Sequence, residues 1–383
     1  MVVTGEAGTV GGRVRWKSSF RDASFTCKSC GICCAVYRIQ VDADDITRMS
    51  LADDQLADCE GDRIIARTAE GMCIFNRDDL CKRYEVRPIS CRTYPLDVVF
   101  LGKGRAVVDV VYTCPYVGIG EMYTPDRINA TMAEDLGLKP DFYATIDESY
   151  DHIRAGIVDA FEGSWPGPGT LEAVDAALIT WAVKHEDPLS ALFAGTLAVS
   201  RRFPPVAGPD AVTEVLVGVD VHPLEEAKLS CVRFYLDTGV KAMTLTDGKL
   251  EVYCMSVAED GLHLGDDRIQ LDKLWSMSFD EGARGLLGEF LSEVSRRGKT
   301  QALMLRVGSR ILVKGVRLNP VQLRGELLYY TAACACAAAS AFAVRHGHPT
   351  VTRSDMRDGI GYADAVAYYL GEADWESHLC ENN

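Results

Sequence analysis

The segment at 25–40 reads FTCKSCGICCAVYRIQ, and it places Cys27, Cys30, Cys33 and Cys34 within eight positions. Two residues between cysteines let a tight turn aim both sulfurs at one metal ion or inorganic core, with backbone N–H groups left to bond the sulfurs. Gly31 assists, because a chain wrapping a small core often needs a positive φ. The adjacent pair is different. Cys33 and Cys34 are expected to diverge, one of them serving a second cluster or another edge of the first. Four more cysteines follow at turn-rich places: Cys73 in GMCIF, Cys81 in DLCKRYEVRP, Cys91 in ISCRTYP and Cys114 in YTCP. Lys82, Arg83, Arg87 and Arg92 stand near them. Crowded thiolates need cations or N–H donors to stay deprotonated. Each arginine taken singly reads as well as a solvated surface charge.

Eight sulfurs are enough for two zinc ions, one cubane with spare thiols, or two clusters. Zinc sites come mostly as two separated thiolate pairs closing one tetrahedron. Three or four cysteines in one turn region favour iron–sulfur chemistry, and proline after Cys114 suits a cluster shielded from water. An iron–sulfur cluster is therefore the expectation, with zinc as the alternative. Of the fourteen cysteines, nine lie between 27 and 114. In a long chain without an export signal this pattern means reduced thiols and ligation rather than disulfides.

The other chemistry-bearing residues have plainer readings. Cys59 ends an expected helix as a small buried residue. Cys334 and Cys336 in TAACACAAAS are two apart on a helix, point to opposite sides and read as small-residue packing. Cys231 and Cys254 fall in expected strands, and Cys380 lies in the tail. His346 and His348 in RHGHPT follow a helix end: a two-histidine metal site is one reading, a helix-terminal loop with dipole contacts the other. GEFLSEVSRRG reads as a solvated helix face. GEAGTVGG near the start lacks the strand-then-helix context of a phosphate loop, the glycine pair of VGIG at 117–120 is too weak a signal for a cofactor, and no S-adenosylmethionine fingerprint stands out.

The elements that must hold these residues divide the chain into about two domains, expected for 383 residues. Residues 1–24 read as a flexible glycine-bearing arm. Residues 25–120 form the cysteine-rich unit: a short strand from VYRIQV, a helix over ITRMSLADDQLADC capped by Asp42 or Asp44, a strand at RIIART, a hairpin turning at Asn76–Asp79, a short helix between Pro88 and Pro95, and a hairpin about Gly102–Gly104. Apolar spacing makes 121–203 helical. RFPPVAGPDA at 202–211 is the expected linker. Residues 212–383 mix strands (SCVRFYLDTGVKAMTLTDGKLEVYCMSV at 230–257, and KTQALMLRVGSRILVKGV) with helices at FDEGARGLLGEFLSEVSRRG, PVQLRGELLYYTAACACAAASAFAVRHG and RSDMRDGIGYADAVAYYLG, the last capped by Ser354. The fold class is α+β, with an N-terminal cysteine-cluster domain and a C-terminal mixed domain.

A net charge of -15 argues against non-specific nucleic-acid binding. No uninterrupted run of 18 apolar residues suggests a membrane span, and MVVTGEAGTVGGRVRW lacks the apolar core of a signal peptide, so a cytoplasmic chain is expected.

CKSCGICC, GMCIF, CKRYEVRPISCRTYP and YTCP together resemble the YkgJ-type cysteine cluster family of zinc- or iron-chelating domains, over about residues 25–118. That family is related to the flagellin lysine N-methylase FliB. The resemblance implies metal ligation by Cys27, Cys30, Cys33, Cys34, Cys73, Cys81, Cys91 and Cys114. A FliB-like member would use an iron–sulfur cluster with S-adenosylmethionine to methylate lysines of a protein substrate. The expectation of another class is a non-catalytic zinc-binding or electron-transfer module that docks on a redox partner.

Overall fold

A computed structural model describes residues 4–9, 12–20, 23–28, 30–59, 62–69, 71–77, 80–101, 104–138, 152–153, 168–202, 209–221, 241–246, 249–258, 261–313 and 320–369. The architecture is α+β.

The N-terminal part opens with strands β1 (Thr4–Thr9) and β2 (Gly12–Ser18). The short helices α1 (Ile32–Val36) and α2 (Ala43–Met49) and the strands β3 (Leu56–Cys59) and β4 (Asp62–Ile65) follow. Then come β5 (Asn76–Arg77), β6 (Leu80–Cys81), helix α3 (Ile89–Thr93), β7 (Leu96–Phe100) and β8 (Arg105–Val110). One sheet has the order β1-β2-β8-β7, with β2 parallel to β8 and the other pairs antiparallel.

The expected flexible arm is therefore a pair of sheet strands. Within β2, Val14 and Trp16 are buried while Arg15 is exposed, the period-2 pattern of a half-buried strand. Trp16 packs with Phe20, Phe25, Phe100, Val108 and Ile128, and its indole N–H donates to Asn129 at 2.8 Å. Asn129 lies on α4 (Pro125–Leu138).

Helices α5 (Pro168–Ala182), α6 (Pro188–Ser200) and α7 (Pro209–Val217) come next. A second sheet, in the order β12-β11-β10-β9, contains β9 (Lys241–Thr246), β10 (Lys249–Ala258), β11 (Gly261–Leu264) and β12 (Asp267–Ile269). The chain continues through helices α8 (Leu271–Ser276), α9 (Glu281–Val294), α10 (Gly298–Val313), α11 (Pro320–His346) and α12 (Arg353–Tyr369).

One core joins α5, α6, α7, β11 and α9 to α12, through residues such as Leu178, Leu192, Val212, Leu262, Leu287 and Phe342. The helical region and the C-terminal region thus share their interior. The middle of the expected linker, 203–208, lies outside the described residues, as do Cys231 and Cys380. Helix α11 is long and apolar enough by composition to cross a membrane, but 94 % of its apolar window is buried inside the protein. Cys334 and Cys336 sit in that interior, as their spacing suggests.

Four local expectations change. The helix foreseen over 46–59 stops at Met49, because Ser50 turns to φ 51 and its N–H closes on Ile46 and Thr47; Leu56–Cys59 then forms β3. Cys59 is half-buried, and its sulfur accepts from Arg38 Nη1 at 3.1 Å. The strands expected in KTQALMLRVGSRILVKGV form helix α10, whose first N–H groups, Gly298 and Lys299, donate to the Asp109 carboxylate at 2.9 and 3.0 Å. That carboxylate caps the helix from β8, a long-range contact that local spacing does not encode. The cap of α12 is Thr352 rather than Ser354: its hydroxyl accepts from the Asp355 N–H, while the Asp355 carboxylate accepts from the Thr352 N–H at 3.0 Å. Finally, GEFLSEVSRRG is not wholly solvated. Arg297, just past α9, is buried, donates to Val110 O at 2.9 Å and pairs with Asp364 of α12.

Candidate metal centre

Gly31 has φ 77 and immediately precedes α1, so the chain turns sharply between Cys30 and the pair Cys33–Cys34. Apolar Ile32 and Val36 of this short helix are buried in the large core and anchor it. The backbone then ties the later cysteines to it. The Cys73 N–H donates to Cys34 O at 2.9 Å. Arg67 donates to Tyr37 O at 2.8 Å and also bonds Ala35 O and Gly71 O, lashing the α1 exit to the loop before Cys73. Cys81 lies in β6, opposite Asn76. Cys91 lies in α3, which Pro88 introduces and the cis Tyr94–Pro95 peptide follows.

Cys114 comes four residues after β8, in a turn closed by Val117 N–H to Cys114 O at 3.2 Å. The two ends of the unit are strapped together. Phe25 N–H donates to Glu121 O, Gly118 N–H to Ser24 O and Tyr123 N–H to Ala23 O, each at 2.8 Å. At Gly120 (φ 107) an added Cβ would come within 2.1 Å of Thr26 Oγ1, so this strap requires glycine next to the Cys27 segment.

The result is one cavity of about 330 Å³ lined by all eight cysteines: Cys27, Cys30, Cys33, Cys34, Cys73, Cys81, Cys91 and Cys114. Cys33 and Cys34 do not diverge to separate places. Both face this cavity. Among the described residues, no three of these sulfurs lie within 4.8 Å of one another.

The electrostatics favour the thiolate at Cys34. Cys34 is held down to about 3, chiefly by the thiols of Cys33 and Cys73 donating to it, with Asn76 and the Arg67 charge acting in the same direction. Six others are raised. Cys33 is raised by its bond to Cys34 and then by burial, and Cys73 likewise. Burial pushes Cys91 and Cys114 to about 12, and it raises Cys30 and Cys81.

Against burial stand fixed donors. The backbone N–H two residues on favours the thiolate at Cys30 (from Ile32), Cys73 (Phe75), Cys81 (Arg83) and Cys114 (Tyr116). This is the turn that orients a sulfur toward a metal. Arg83, Arg87 and Arg92 line the cavity as well, and the Arg87 charge lowers Cys81 and Cys91. Lys82 is not among the lining residues. The donor set therefore fits a thiolate-held metal group, with all eight cysteines available to hold it. Arg67 and Asn76 were not foreseen as site residues. Nothing in RIIART or GMCIFN marks them, because their roles depend on contacts across the domain.

A second cavity of about 230 Å³ adjoins the first and shares Ile32 and Cys114 with it. Tyr112, Phe290, Glu293, Arg357 and Tyr362 line it. The Tyr112 hydroxyl donates to Glu293, whose carboxyl is raised by burial. The hydroxyls of Thr113 and Tyr362, residues also in its wall, are buried with no hydrogen-bond partner among the described residues.

Comparison with known proteins agrees with this geometry. Residues 26–115 match the family CxxCxxCC, described as "Putative zinc- or iron-chelating domain". The resemblance to the YkgJ-type cysteine cluster family thus stands over the cysteine unit, and the chain carries a zinc- or iron-chelating metal-binding domain. A curated relative, the uncharacterized protein MJ0939 of Methanocaldococcus jannaschii, is 23 % identical over 115 residues, covering 28 % of this chain and 42 % of its own length. The chain therefore spans under half of the relative it matches. No solved structure matches the chain significantly.

Proposed function

We propose that the cavity holds an iron–sulfur cluster rather than a lone zinc ion. One observation carries this reading: eight thiols line a single cavity of about 330 Å³, and no three of them are drawn within 4.8 Å. Zinc–sulfur bonds of about 2.3 Å in a tetrahedron put neighbouring sulfurs roughly 3.8 Å apart. Sulfurs spread around a larger void suit a polynuclear core, bonded by the N–H and arginine donors already in place. Such a cluster, when bound, would supply electron transfer or an open iron position. This chain's own contribution is to wrap the core, orient the sulfurs by the turns after Cys30, Cys73, Cys81 and Cys114, and keep Cys114 away from water.

The adjoining cavity at Cys114 supports a catalytic role over a docking role, because it offers a small molecule a place beside the cluster. Two experiments test these readings. Cys30→Ser is expected to lose most of the bound metal; full retention would remove Cys30 from the ligand set and count against a shared centre. Calorimetric titration of cluster-loaded protein with S-adenosylmethionine tests the methylase expectation. Absence of binding would leave a redox or docking module as the function.

A further inference from the structure

At the far end of the longest helix, His346 and His348 meet Asp355. Histidines two apart on a continuing helix point about 200° from each other. Here the helix does not continue. Gly347 takes φ 72, its N–H bonds Val344 O at 3.1 Å, and the His348 N–H bonds Ala343 O at 2.9 Å. This reversal is the glycine-ended closure of a helix. It folds His348 back beside His346, with ring centroids 5.5 Å apart.

The first turn of α12 then brings up Asp355. Its position is fixed because Val351 bridges Phe279 and exchanges backbone bonds with Ser278 and Asp280. His346 Nδ1 stands 2.9 Å from Asp355 Oδ1, and His348 Nδ1 stands 2.9 Å from Oδ2 and 3.1 Å from Oδ1. Asp355 is fully buried, whereas His346 and His348 keep 27 % and 39 % of their side-chain exposure.

We propose that His346, His348 and Asp355 bind one divalent transition-metal ion, independently of the cysteine cavity. Two imidazole nitrogens and a carboxylate form the borderline donor set that zinc, cobalt and nickel accept, with water completing the shell. Donors about 2.0–2.1 Å from such an ion stand roughly 2.9–3.4 Å from one another; the two imidazole-to-carboxylate distances are each 2.9 Å, and all three donor atoms lie within 4.8 Å of one another. The ligating carboxylate has its own support: Asp355 Oδ2 accepts from the Thr352 N–H at 3.0 Å and from its hydroxyl at 2.7 Å. Water reaches the site through the two exposed imidazoles. The bound ion would clamp the corner between α11 and α12.

The test is a Co2+ titration of the full chain with its cysteine-held metal already loaded. One further equivalent is expected, showing the ligand-field bands of nitrogen and oxygen donors and no thiolate-to-metal charge-transfer band. His348→Ala, at the more exposed position, is expected to weaken that equivalent by about 100-fold or more while leaving the helical circular dichroism unchanged; His346→Ala should repeat the loss. Cys30→Ser should leave it intact, so failure of the cysteine reading would be seen separately. Wild-type protein that takes up only thiolate-ligated cobalt would overturn the proposal, as would either histidine variant that retains the extra equivalent. The trio would then be a hydrogen-bonded helix corner.

Discussion

Cys34 has the sulfur on which two neighbouring thiols converge, and the contrast with Cys91 and Cys114 sets the pH behaviour of the site. Those two thiols lie near 12 in the folded chain and near 8.5 when unfolded. A raised folded value means that the associated stability is present below the unfolded value and is lost as pH rises toward the folded one. Metal-free protein is therefore expected to show a lower urea midpoint at about pH 10 than at neutral pH. A metal must also displace those protons, so its apparent affinity is expected to rise with pH. Calorimetry in buffers of different ionisation enthalpy should show more than one proton released per metal centre filled at neutral pH. Proton-neutral binding would mean that the raised thiols are not ligands. At this scale the sequence was informative, since all eight cysteines named from spacing line one cavity. The orienting partners were not visible in it. Arg67 and Asn76 act on Cys34 from other segments, and Asp355 meets the histidines only because Gly347 reverses the chain.

Helix α11 is the element around which the larger half is built, and its small residues allow close approach. At Gly359 of α12 an added Cβ would come within 2.4 Å of Ala335 O and 2.7 Å of Ala339 N, so the two backbones nearly touch. Gly359→Ala should therefore destabilise the protein by about 2 kcal/mol, read as a lowered denaturant midpoint, although alanine is the better helix former. An unchanged or raised midpoint would mean that the helices separate freely.

The same helix carries Arg324, fully buried and paired with Asp175 of α5, its Nε donating at 2.7 Å. Removing one charge leaves the other stranded. Arg324→Met should cost about 3–5 kcal/mol, and Asp175→Leu added to it should restore most of that loss. Additive losses in the double variant would show that the two charges do not depend on each other. Helix α11, α9 and the β7–β8 hairpin were legible from periodicity and turn residues. Helix α10 was not, because its cap is the Asp109 side chain of a distant strand, and β2 was obscured by the glycines around it.

Across the whole molecule, the cysteine unit is joined to the helical body rather than tethered to it. Ile32 and Val36 of the cysteine helix enter the large core, and Asp109, Arg297 and Asp364 link strand β8 to α10 and α12. A buried charge network at this boundary gives specific docking that composition and spacing do not reveal. It also places the second cavity between Cys114 and the α9 and α12 side chains. Changes at the metal are thus coupled to the helices that line that cavity, and metal removal should lower the unfolding temperature of the helical signal along with that of the site. An iron–sulfur cluster in the eight-cysteine cavity can be checked by measuring iron, zinc and acid-labile sulfide in anaerobically purified protein. A brown protein with about four or more irons per chain and a comparable amount of sulfide is expected. A colourless protein with tightly bound zinc, and neither iron nor sulfide, would contradict it.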